Sequence, residues 1–181
     1  MKYSLSIIAS VLLLSGCANQ GSRYQGEHLV IPAIEEIKPW QLFQKDENGF
    51  RYSMWQAPGE RWANTFAVSV YYQQSVDLEA RRAELDKPGL ESCQGFASTD
   101  LPHPKSLAVA SRYWQTQCEM SGKVVARMLH LVLQGRESFY HIQKIWKYEP
   151  TQAEFEAWQQ RFEASFVCNL AAEATDCPSE D

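Results

Sequence analysis

The sequence predicts an α+β domain, a mainly antiparallel sheet of about five to six strands with two helices packed on it. Three observations point there. Extended stretches of β-branched, aromatic and alternating apolar residues recur over 27–34, 50–56, 61–72, 106–119, 123–133 and 138–148. A helical period replaces that pattern in two places, 76–91 and 151–166. The strict βαβα rhythm of a doubly wound parallel sheet is absent. At 181 residues, 45% apolar and 12% aromatic, the chain has material for one domain with a real core and is too apolar for wholesale disorder.

Taken in order, residues 27–34 (EHLVIPAI) read as a short strand edged by Pro32. A connection containing Trp40 follows and closes in the turn-like Asp46-Glu47-Asn48-Gly49. Phe50, Tyr52 and Met54 then alternate with Arg51, Ser53 and Trp55, a strand pattern that stops at the turn Ala57-Pro58-Gly59-Glu60. Over 61–72, Trp62, Phe66, Val68, Val70 and Tyr72 share one parity that only Asn64 interrupts, so this strand has a buried face. Residues 76–91 predict a solvent-facing helix, with Ser75 as its N-cap and Pro88-Gly89 as its stop. Leu101-Pro102-His103-Pro104-Lys105 is a rigid loop. Of the three strands that follow, the last two form a hairpin through Gln134-Gly135-Arg136-Glu137. Thr151-Gln152-Ala153-Glu154 is a capping-box sequence. Behind it Phe155, Trp158, Phe162 and Phe166 recur at spacings of 3, 4 and 4, one helix face that fastens the C-terminal helix to the sheet.

The first twenty residues carry an address. Met1-Lys2 gives a basic start, and Leu5 to Leu14 is a ten-residue apolar run, about half of what a bilayer-spanning helix needs. It ends in Leu14-Ser15-Gly16-Cys17, which resembles the lipobox of bacterial lipoproteins. The resemblance implies that residues 1–16 are a signal peptide, that cleavage falls before Cys17, and that Cys17 receives a diacylglyceryl thioether and an acylated amine. Ala18 stands where lipoproteins kept in the inner membrane often carry Asp, so the outer membrane, facing the periplasm, is the implied address. Residues 17–26 are then the lipidated N-terminus and a polar, glycine-containing tether, and 27–181 a single domain. Removing 1–16 takes only Lys2 from the charged residues, turning a net charge of -5 into -6 for 165 residues. That balance excludes the basic footprint of a nucleic-acid binder, and membrane residence rests on lipid rather than charge.

Four cysteines follow the anchor: Cys93, Cys118, Cys168 and Cys177. An even number in an exported chain reads as disulfides, with three connectivities open; proximity favours Cys93–Cys118 and Cys168–Cys177. No C-x2-C pair supports a zinc site.

Little in the sequence announces chemistry. G-x-S-x-G, S-x-x-K, the P-loop and G-x-G-x-x-G are absent, and no cofactor is indicated. A hairpin centred between Gly135 and Arg136 sets His130 opposite His141, an imidazole pair that can share a metal if a third ligand joins it, and otherwise is a partly exposed cross-strand pair. His28 and His103 carry no pattern. The other face of that hairpin (Val125, Leu129, Leu131, Leu133, Tyr140, Ile142 and Trp146) is assigned to the core. It also sets Arg127 opposite Lys144, unfavourable unless an anion or an acidic helix side chain covers them. The six tryptophans divide between core and a surface able to anchor a partner. The expectation is a non-enzymatic, lipid-anchored envelope module that binds a protein or cell-wall partner. The alternatives are a small-ligand or metal binder and an envelope glycan-processing enzyme, which would need two carboxylates facing across a cleft.

Overall fold

The structure, a computed structural model, describes residues 26–102 and 109–169. Cys17, His103 and Cys177 therefore lie outside the described residues, as do the lipobox and the tether up to residue 25. The chain order is β1 (Glu27–Val30), a 3-10 turn (Glu35–Ile37), β2 (Gln41–Glu47), β3 (Phe50–Gln56), β4 (Asn64–Tyr72), α1 (Leu78–Ser92), β5 (Gly95–Asp100), β6 (Ala110–Met120), β7 (Lys123–Gln134), β8 (Ser138–Trp146), α2 (Gln152–Glu163) and β9 (Phe166–Asn169).

Seven strands form one sheet in the order β2-β3-β4-β8-β7-β6-β5, every neighbouring pair antiparallel. It is two meanders joined where β4 meets β8, with α1 as the crossover between them. A separate ribbon pairs β1 with β9, Glu27 opposite Asn169 and Val30 opposite Phe166. The mixed α+β class is as expected, but the strands among the described residues exceed the predicted five to six. Three were missed. β2 (QLFQKDE) and β5 (GFASTD) are edge strands with polar residues on both faces, so no alternation betrays them. β9 takes Phe166 out of the helix, because α2 ends at the C-cap Ala164 and Phe166 pairs with Val30.

Each face of the sheet has its own helix. On one, Phe155, Trp158 and Phe162 of α2 pack against Phe66, Tyr113, Leu129, Leu131, Leu133, Tyr140, Ile142 and Trp146. On the other, Leu78 and Leu85 of α1 pack over Trp114, Val132 and Phe139. The predicted core face of the β7–β8 hairpin is thus buried except at its frayed end, where Val125 is 38% exposed.

The ends of α1 differ from expectation. Asp77, not Ser75, is the N-cap, its carboxylate accepting from the Glu79 and Ala80 amides. Pro88-Gly89 does not stop the helix, which runs to Ser92. Gly89 is required there because a Cβ would run into the ring of Phe96 on β5. The N-cap Thr151 accepts from the Glu154 amide as a capping box predicts, but the Glu154 carboxylate accepts instead from Trp146 Nε1 (2.8 Å) and the Tyr148 hydroxyl (3.0 Å).

The hairpin register is the most consequential correction. The Gly135 amide bonds the Ser138 carbonyl, so the turn is Arg136-Glu137 and the centre lies one residue later than expected. His130 then faces Gln143, Val132 faces His141, Leu129 faces Lys144 and Arg127 faces Trp146. The cause is remote: the Glu27 carboxylate accepts from the Arg136 amide at 2.6 Å and the Glu137 amide at 3.3 Å, clamping the turn from 109 residues away. A shift of two residues keeps every side chain on its face, so the core assignment survives a wrong register.

Candidate functional site

The ribbon carrying β1 leaves a cleft of about 330 Å3 between itself and strands β3 and β4, on the face that α2 covers only in part. Its apolar wall is Leu29 and Ile31 from the β1 segment, Trp55 from β3, and Val68 and Val70 from β4. Arg51, Ser53 and Trp55 lie opposite Val70, Val68 and Phe66 in the β3–β4 register, which sets all of them on one face. Glu27, His28, Arg51, Ser53, Tyr72 and Tyr140 supply the polar lining.

The polar groups of the cleft are largely occupied by one another. Tyr140 donates to Glu27 Oε1 at 2.9 Å, and burial with the Glu27 carboxylate beside it pushes the phenol well above its ordinary range. Arg51 is bound by Asp46 at 2.7 Å, which raises the guanidinium further, and it lies 6.0 Å from the Tyr72 ring. Ser53 accepts from Gln44 Nε2 at 3.2 Å. Among the described residues Glu27 is the one carboxylate lining this cleft, and these residues form no facing pair of the kind glycoside hydrolysis needs there. The cleft can hold an apolar group and offer a polar rim.

The histidines named from sequence meet elsewhere, beneath α1. His130 and His141 are 1% and 5% exposed, not partly exposed, with Nδ1 of the first 3.2 Å from Nε2 of the second. Diagonal neighbours on adjacent strands, they stack at 5.5 Å, and Trp114 stacks on His130 at 4.7 Å. Burial draws His130 down to about 3 and His141 well below its ordinary value, with Arg81 adding to both and His130 to His141. No group of three or more metal-binding side chains forms among the described residues, so the pair acquires no third ligand there.

Lys144 stands on the α2 face, 0% exposed. Its Nζ lies 4.4 to 5.2 Å from the ring centres of Trp146, Trp158 and Trp40 and donates to Asn64 Oδ1. Asn64 Nδ2 donates to the Tyr148 hydroxyl at 3.1 Å, which in turn donates to Glu154. The expected like-charge pair is dissolved: Arg127 meets Glu149 at 3.2 Å, and Lys144 is answered by tryptophan faces and this relay. Asn64 and Lys144, two of the three polar residues that interrupt apolar faces in the sequence, are each other's partners.

Of the cysteines, Cys93 and Cys118 are bonded, their Cα atoms 5.4 Å apart, joining the end of α1 to β6. Cys168 is also in a disulfide, while its expected partner Cys177 lies outside the described residues. Three tryptophans (Trp114, Trp146 and Trp158) are core, Trp40 and Trp55 are half-buried, and Trp62 is 44% exposed at a backbone φ of 67°, against Phe43 at 5.1 Å. Sequence reasoning missed the cleft because its walls come from β1 and β3–β4; β1 carried only a short apolar strand signal. No helix among the described residues is long and apolar enough to cross a membrane.

No family model and no curated protein matches the sequence. Among solved structures the chain is similar to LpqN, a protein involved in cell envelope biogenesis of Mycobacterium tuberculosis, at 12% identity and a TM-score of 0.48 over 82% of this chain and 87% of that one. It is also similar to PA94, a protein of unknown function from Pseudomonas aeruginosa, at 13% identity and a TM-score of 0.40 over 76% and 95%. The chemistry of the cleft rests on its own residues.

Proposed function

We propose that the chain is a cell-envelope lipoprotein, anchored through acylated Cys17 at the outer membrane, which works by binding an envelope partner and not by catalysis. The cleft carries this reading: Leu29, Ile31, Trp55, Val68 and Val70 form an apolar slot open to solvent, rimmed by Arg51 and Tyr72. Such a slot receives an apolar group of the partner while the rim meets its polar remainder. The lipobox-like Leu14-Ser15-Gly16-Cys17 supports the anchor. Three cysteines held in disulfides, Cys93, Cys118 and Cys168, support an oxidising compartment.

Two measurements test it. Cys17→Ser should abolish incorporation of labelled fatty acid and move the protein out of the membrane pellet; continued acylation would remove the anchor from the proposal. A photo-crosslinking residue at Val70, in cells, should give a discrete adduct that disappears when Val68→Trp fills the slot. The same residue at Leu90, on the exposed side of α1, should give none. Equal labelling from both positions, or an adduct indifferent to Val68→Trp, would show that the cleft is not the binding site.

A further inference from the structure

Helix α1 is held to the sheet in two unlike ways. At its C-terminal end the C-cap Cys93 is covalently bonded to Cys118 of β6. Along its length it is held by side chains laid over a column of flat rings. Arg81 lies 5.4 Å from the Tyr71 ring and donates to its hydroxyl, Arg82 lies 5.8 Å from the Trp114 ring, and Asp86 accepts from Trp114 Nε1 at 3.1 Å. Below them Trp114, His130 and His141 stack with interplanar angles of 10° and 11°. The bond between the imidazoles needs one nitrogen that carries a proton and one that does not, which the neutral pair supplies.

We infer that α1 is an acid-released strap, hinged at the Cys93–Cys118 disulfide, which lifts from the sheet when the histidine pair takes up a proton. Among the described residues, the charges around the pair leave no free counterion for that proton. From α1 come the cations Arg81 and Arg82 and the carboxylate Asp86, which is already engaged by Trp114 Nε1 and by Arg82 at 3.6 Å. Glu79 and Glu84 of α1 are taken by Arg112 and Arg81, and Asp100 of β5 by Arg82. From β4 the residue opposite His141 is the neutral Ser69, and from β8 the residue opposite His130 is the neutral Gln143. An imidazolium formed there is buried beside Arg81 with nothing negative against it, a state that burial and Arg81 both oppose. Lifting α1 lets the rings take up the proton in water, and uncovers Trp114, Val132 and Phe139. The disulfide keeps the released helix attached at one end, so the change is reversible by design of the chain.

Amide exchange of the full chain in detergent, corrected for intrinsic rates, tests this between pH 7.5 and 4.5. Protection of residues 78–92 should fall at least about tenfold between pH 6.5 and 5, while β7 and β8 keep theirs. The double variant His130→Phe, His141→Phe should abolish that fall. The single variant His141→Phe, which leaves one imidazole and every contact of Arg81 in place, should cut the fall by about half on a logarithmic scale and keeps the test decisive if the double variant does not fold. Reducing the disulfide should extend the acid-exposed region from 92 into β5. Loss of α1 and β7 protection in a single step would overturn the strap, as would a fall that persists without the histidines or one that His141→Phe leaves at the parent's size.

Discussion

The ammonium of Lys144 sits among the faces of three tryptophans, and burial draws it from 10.5 down to about 7. Between those values the unfolded chain holds a proton at this position that the folded chain has released. Stability therefore rises with pH from about 7 to 10.5, and this contribution is lost as pH falls back through the window. Lys144→Met should lack that slope, so its stability relative to the parent falls as pH rises; urea midpoints at pH 7, 8.5 and 10 would show it, and parallel curves would contradict it. Glu27 is the second residue on which much depends, since it accepts from the Tyr140 hydroxyl and two turn amides at once. Glu27→Gln leaves one acceptor oxygen where three donors converge and replaces charge-assisted bonds by neutral ones, and should cost about 1–3 kcal/mol in chemical denaturation. Neither role could be read locally. Asn64 and Lys144 showed in the sequence as two separate interruptions, 80 residues apart, and Glu27 as a polar residue at the start of a strand.

At the scale of elements, legibility followed periodicity. The pattern of β3, most of β4, the β6–β7–β8 meander and α2 alternates or repeats because one face of each carries the large apolar side chains of the α2 core, and each was readable to within a few residues. The unread strands β2 and β5 bury almost nothing and are strands because a neighbour offers them hydrogen bonds. The sequence places the N-cap of α1 at Ser75; the Val76 amide, taken by Gln134 Oε1, fixes the chain so that Asp77 starts the helix instead. Two substitutions probe these ends. Thr151→Ala should lower stability by about 1 kcal/mol through the lost cap of α2. Trp158→Ala should lower it by about 3–5 kcal/mol, since this ring touches Trp40, Phe66 and Phe162 and one of the three rings around Lys144 goes with it. A Trp158→Ala effect below 1 kcal/mol would mean that α2 is not fastened to the sheet as the packing indicates.

For the molecule as a whole, one sheet serves two unlike cores. The α2 face is mainly apolar, its buried Lys144 answered by Asn64 and tryptophan rings, while the α1 face mixes Trp114, Val132 and Phe139 with the histidine pair and the ion pairs of Arg81, Arg82 and Arg112 with Glu84, Glu79, Asp86 and Asp100. Acid should therefore act on the faces unequally. The Cys93–Cys118 bridge closes a loop of 25 residues that holds β5 and most of β6, and reduction should cost about 3 kcal/mol. A melting temperature unchanged on reduction would show that the bridge constrains nothing in the unfolded chain. The fold class was legible at this scale and the cleft was not, because a cleft is a relation between segments that only the finished topology brings together.

The β1–β9 ribbon has a mechanical consequence. Its antiparallel register brings residues 27 and 169 together at one end, with Val30 and Phe166 at the other. Tension applied between residues 26 and 169 would peel the ribbon from that end one pair at a time, rather than shear all its bonds together. The first residues to come away, Glu27, His28 and Leu29, are a wall of the cleft and the clamp on the β7–β8 turn. Pulling in an optical trap on handles at those two positions should give an early, low-force extension of the ribbon, with the seven-stranded sheet still intact. A chain pulled from its N-terminal side would, by this geometry, register the load first as a change in the shape of the cleft.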